Sequence, residues 1–139
     1  MLAGISIGVL SKIPFASAWN ISNKKKFKNY SETLTTANSS TSYTIDLTNG
    51  NVFDITMTGN CTFTFSNPPA SGIAGSFTLI LTQDGTGSRT ATWPASVDWA
   101  GGTAPTLTTT ATTGVDVLVF ITTDGGTTWL GFSSGLDMK

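Results

Sequence analysis

The chain has 139 residues, enough for one ordinary domain, with 39% hydrophobic residues, only 11% charged residues and a net charge of −1. That balance excludes a chain-wide electrostatic attraction to nucleic acid or to an anionic membrane surface, both of which need a basic stripe. Histidine is absent and Cys61 is the single cysteine, which excludes an internal disulfide, a thiolate zinc site, a dithiol redox pair and a Ser-His-Asp triad.

Residues 1–29 read as an N-terminal arm. Leu2, Ile5, Ile7, Val9, Leu10, Ile13, Phe15 and Trp19 are apolar and spaced by small residues, and Lys24, Lys25, Lys26 and Lys28 follow. Gly4, Gly8 and two β-branched isoleucines weaken a helix, so an extended strand is expected, apolar first and basic after. Such a segment suits a partner: the apolar residues and Trp19 would enter a groove or a sheet edge on another subunit, and the lysines would lie on acidic surface. The competing reading is an export signal ending near Ala16-Ser17-Ala18, although Lys12 interrupts the apolar stretch and no charge precedes it. No apolar run reaches the roughly 20 residues of a membrane-spanning helix, so no membrane partner is expected.

Residues 30–139 form the second expected unit. Thr44 and Asp46 alternate with Tyr43, Ile45 and Leu47 in a first strand, and Asn49-Gly50 should reverse it into Val52–Met57, where Phe53, Ile55 and Met57 share a face. Gly59-Asn60 should turn the chain again into Cys61–Phe65, which stops at Asn67-Pro68-Pro69. Gly75–Gln83 follows with Phe77, Leu79 and Leu81 inward, and Asp84–Gly87 should return it as a hairpin through Arg89–Trp93. Trp93 to Pro105 is too rich in glycine and proline for a regular element. Val115–Ile121 is apolar on both faces, as a strand covered on both sides would be, and Asp124-Gly125-Gly126 turns it into Thr127–Phe132. These seven strands predict an all-β, antiparallel β-sandwich of jelly-roll-like form, carried behind an extended N-terminal arm.

Chemistry is sparse. Glu32 is the only glutamate and Arg89 the only arginine, so a pair of aspartates is the one route to acid–base catalysis, with Asp98, Asp116 and Asp124 as candidates for a glycosidase. Asp84 and Asp124 precede glycine in turns and Asp98 sits in a loop, and these structural roles are the simpler ones. The expectation is a protein without catalytic activity, cofactor or metal; calcium is the one conceivable ion, and no EF-hand or repeated glycine-aspartate pattern offers it a site. Trp93 and Trp99, with Trp129, could make an aromatic platform for sugar rings, although packing over the core is the weightier reading, above all for Trp129.

The ordered set Asn49–Phe53 (NGNVF), Thr62–Gly72 (TFTFSNPPASG), Gly75–Thr90 (GSFTLILTQDGTGSRT), Trp93–Leu107 (WPASVDWAGGTAPTL) and Asp124–Phe132 (DGGTTWLGF) resembles a module of virion structural and tail-fibre proteins of tailed bacteriophages, especially those of aquatic bacteria and cyanobacteria. The resemblance runs from about Tyr30 to the C-terminus and implies a place on the virion, among other virion proteins, as a homo-oligomer and specifically a trimer. One module behind a short arm suits a capsid decoration or cement protein. The alternative is a small tail or tail-fibre component in host attachment, with a host surface glycan as its ligand at Trp93 and Trp99.

Overall fold

The computed structural model describes residues 29–139, and Ser31–Lys139 forms one compact unit. The expected partner-binding residues from Leu2 to Lys28 lie outside the described residues.

Among the described residues, nine strands alternate with corners: β1 (Leu34–Asn38), β2 (Ser42–Asp46), β3 (Val52–Met57), β4 (Cys61–Ser66), β5 (Gly75–Gln83), β6 (Ala91–Thr92), β7 (Val97–Trp99), β8 (Val115–Thr122) and β9 (Trp129–Met138). The only helical pieces among the described residues are 3₁₀ turns at Leu47–Asn49 and Ala100–Gly102. The strands form a six-stranded sheet in the order β1-β3-β5-β8-β9-β7 and a three-stranded sheet in the order β2-β4-β6. The all-β, two-sheet sandwich expected from the alternation is therefore the fold.

Its connectivity differs from the expected run of antiparallel hairpins. Successive strands β1 to β6 go alternately to the large and the small sheet, so each pairs with the strand two places on, and β1–β3, β3–β5, β2–β4 and β4–β6 are all parallel. The chain winds as a three-turn coil, one strand per sheet in each turn. Only β5–β8 and β8–β9 are antiparallel, and Asp124-Gly125-Gly126 closes the one expected hairpin that forms between neighbouring strands.

The corners explain the difference. Asn49 ends a 3₁₀ turn instead of taking the positive φ of a tight hairpin, and Gly50 sits at φ 142° and ψ −174°, a conformation open essentially to glycine alone. A β-carbon there would lie 2.5 Å from the Thr33 carbonyl oxygen, so Gly50 permits the backbones of adjacent coil turns to touch. Asp46 accepts from Asn67 Nδ2 at 2.8 Å and the hydroxyls of Thr44 and Thr64 meet at 2.8 Å, tying one turn of the coil to the next. At the far end of β5, the buried Gln83 amide takes both backbone groups of Arg89, accepting from its N–H at 2.8 Å and donating to its carbonyl at 3.2 Å. That exchange replaces the ladder a hairpin would have made, and Ala91–Thr92 crosses to the small sheet beside β4.

Between the sheets lie Phe53, Ile55, Met57, Phe77, Leu79, Leu81, Leu118 and Phe120 from the large sheet, against Ile45, Cys61, Phe63 and Phe65 from the small one. Burying each such side chain stabilises the fold by about 1.5–3 kcal/mol. Phe65 is the hinge of an aromatic cluster, with its ring 4.9 Å from Phe77, 5.0 Å from Phe120 and 5.4 Å from Trp129, all edge to face. Trp129 is 2% exposed, so it belongs to the core as the packing reading required. Val115, Val117, Val119 and Ile121, expected to be covered, are only partly buried: β5 and β9 shield them from the sides, while the inward face alone carries the three-stranded layer.

Candidate aromatic groove

The segment from Trp93 to Gly114 carries the site. β7 joins the edge of the large sheet in parallel with β9, placing Trp99 beside Gly131. Gly101 and Gly102 then take φ of 69° and 74°, which turns the chain back over the sheet edge. The rest of the segment is held from below by Asp116, which is 1% exposed. Its carboxylate accepts from the Thr108 N–H and hydroxyl, both at 2.7 Å, and from the Asp137 N–H at 3.1 Å. A buried carboxylate with three donors is satisfied.

Trp93 stacks on Phe63 at 5.2 Å and 15°, and Trp99 meets it edge to face at 5.4 Å, with Phe120 5.5 Å beyond Trp99. Both indoles thus close the core, yet neither is fully covered. On one side of Pro105, Trp93 lines a depression of about 200 Å³ with Arg89, Thr90, Thr106 and Leu107. On the other, Trp99 lines an open groove of about 260 Å³ with Thr103, Phe132 and Ser133. Gly131 makes this groove possible, because a β-carbon there would stand 2.8 Å from Trp99 Cζ3. The two tryptophans singled out in the sequence are therefore brought together and shared between two neighbouring hollows. Gly131, Phe132 and Ser133 were not legible as site residues; a glycine inside an apolar strand marks a close approach without saying of what.

The three candidate catalytic aspartates do not converge. Asp116 lies at the start of β8 and Asp124 beyond its end, so about eight residues of strand, roughly 26 Å, separate them, against the roughly 5–9.5 Å of a glycosidase pair. Asp98 is exposed on β7, on the face opposite to the inward Val97. Asp124 is a turn residue that accepts from the Thr122 hydroxyl at 2.9 Å and the Thr128 N–H at 3.0 Å; the Thr128 N–H leads in holding its pKa below the ordinary carboxylate value. Asp84 accepts from the Arg89 guanidinium through both oxygens, the shortest contact being 2.7 Å, and this brings its pKa down to about 2. Among the described residues, no three acidic, cysteine or histidine side chains come together as a metal site.

No curated protein and no solved structure matches the chain. A family of phage proteins does, described as "Putative phage tail fibre C-terminal domain", over residues 41–126. The matched stretch runs from the corner before β2 through the groove segment and β8 to the hairpin turn, more than half of the chain. It favours the tail-fibre reading of the module over capsid decoration. A match over that much of the chain shows the family: the chain belongs to the phage tail fibre C-terminal domain family and is a structural component of the virion.

Proposed function

We propose that this tail-fibre component is non-catalytic and contributes to host attachment by holding a surface glycan in the groove beside Trp99. The observation that carries the reading is the groove itself: a partly exposed indole, fixed by Phe120 and Trp93, flanked by Phe132 and by the hydroxyls of Thr103 and Ser133. Sugar rings present an apolar C–H face that stacks on an aromatic plane and a rim of hydroxyls that bonds to groups such as these. An open groove suits a residue within a polysaccharide chain, where an enclosed pocket would take a free small molecule. Trp93, Arg89 and Thr106 across Pro105 would receive the neighbouring sugar.

The test is titration of the protein with purified host-surface polysaccharide, followed by tryptophan fluorescence. Trp99→Ala should weaken binding at least tenfold. Because that substitution also removes core contacts worth about 3–5 kcal/mol, Ser133→Trp, which fills the groove from its exposed rim, should block binding in a chain that melts as the wild type does. Undiminished binding by the Ser133→Trp protein would overturn the proposal.

A further inference from the structure

Arg89 is the only arginine of the chain, and most of its hydrogen-bonding groups are committed within the protein. Its backbone N–H and carbonyl both meet the Gln83 amide, itself 3% exposed, at 2.8 and 3.2 Å. Its guanidinium lies side-on against Asp84, with Nε 3.1 Å from Oδ1 and Nη2 2.7 Å from Oδ2. Asp84 is held in turn by the N–H groups of Thr86 and Gly87, both at 3.0 Å. A long, rotamer-rich side chain is thereby fixed in one orientation before any ligand arrives. A guanidinium carries five N–H donors, and the contact with Asp84 uses one edge of the fork. Nη1 and the outer hydrogen of Nη2 have no protein partner among the described residues, and the side chain is 25% exposed.

Arg89 lines the depression beside Trp93, together with Thr90 and Thr106. Among the described residues, no aspartate or glutamate lines either this depression or the groove beside Trp99. That lining discriminates between classes of sugar. A neutral sugar offers hydroxyl donors that carboxylate acceptors grip best, and those acceptors are missing. A sugar bearing a carboxylate is itself an acceptor and calls for a planar cationic donor, which is present and already oriented. We propose that the glycan is acidic: the sugar over the Trp93 depression sets its carboxylate on the outer edge of Arg89, while its neighbour stacks on Trp99. This assignment rests on the proposal that a glycan occupies the groove, and it names the class of that glycan. Asp84 offsets part of the charge, so the pair contributes orientation more than long-range attraction. Selectivity then comes from the fixed fork, which matches the two oxygens of a carboxylate and not a lone hydroxyl.

Isothermal titration calorimetry of the full chain tests it with two probes: purified host-surface polysaccharide, and the same polymer after chemical reduction of its carboxyl groups to alcohols. Reduction should weaken binding to the wild type about tenfold, the loss expected of one charge-assisted contact. Arg89→Gln keeps a donor but loses the charge and the fork. It should bind the native polymer about as weakly as the wild type binds the reduced one, and should bind the reduced polymer as the wild type does. The change made to the polymer leaves the protein untouched, so the first comparison stands even if the variant is unstable. Equal binding of native and reduced polymer by the wild type, or tight binding of a host polysaccharide with no carboxyl group, would overturn the acidic assignment and leave the groove reading standing. Equal weakening of both polymers by Arg89→Gln would make Arg89 a structural part of its loop and overturn the assignment as well. Binding of neither polymer by the wild type would instead remove the glycan reading itself, and this one with it.

Discussion

Asp116 shows how a residue read as a catalytic candidate can be structural. It is acidic, buried and central, the properties that single out catalytic groups, but its oxygens are spent on Thr108 and Asp137. Replacing it by alanine removes the acceptor of two N–H groups and a hydroxyl in part-buried bonds, and a donor left unpaired away from water costs about 1–3 kcal/mol. Asp116→Ala should therefore destabilise the protein by about 1–3 kcal/mol in urea denaturation and loosen the groove segment, whereas Thr103→Ala should do neither. Asp84 acts at the surface of the same region. Its pKa falls from 3.8 to about 2 because the Arg89 guanidinium bonds its charged form. A carboxylate lowered on folding contributes stability that is complete above its unfolded pKa and lost as pH falls through its folded one. Thermal stability should accordingly hold above about pH 4 and decline toward pH 2. In Asp84→Asn the decline should be shallower, with Asp46 and Asp124, lowered in the same direction, accounting for what remains.

At the scale of strands, what was legible in the sequence was the inward face. Val52–Met57 and Gly75–Gln83 alternate so cleanly that their bounds and inward residues follow from periodicity alone. Partners were not legible, because a corner of a parallel coil and an antiparallel hairpin use the same glycine, asparagine and aspartate residues; what separates them is where Gln83 and Asp46 bond, a tertiary fact. β1 escaped for a different reason: Leu34–Asn38 is an edge strand whose inward residues are only Thr35 and Ala37, too small to give a pattern. β7 escaped because it is three residues long inside a segment rich in glycine and proline. Of the groove, Trp93 and Trp99 could be named from sequence, but β9 supplies its floor. Gly131→Ala tests that floor. Its β-carbon would press on Trp99 Cζ3, Trp99 Cε3 and Val97 Cγ1 at 2.8–3.0 Å, and a rigid indole can relieve this only by moving. The expected result is a shift of the Trp99 fluorescence, a loss of about 1–3 kcal/mol of stability and weaker polysaccharide binding; Gly85→Ala, whose β-carbon would meet nothing, should change none of these.

At the scale of the molecule, a coil of parallel strands finished by an antiparallel hairpin leaves two surfaces with different chemistry. One is an aromatic groove at the sheet edge with hydroxyls around it, and the other is the outer face of the large sheet, where Leu130 and Phe132 are exposed. The proposed host glycan would meet the first of these, a reading that suits a member of a tail-fibre family. Capsid decoration would require neither an open aromatic groove nor a tail position. Gold-labelled antibodies raised against residues 30–139 and imaged on intact particles by electron microscopy separate the two directly. The account predicts gold on the tail fibres, and gold spread over the capsid shell with bare fibres would contradict it.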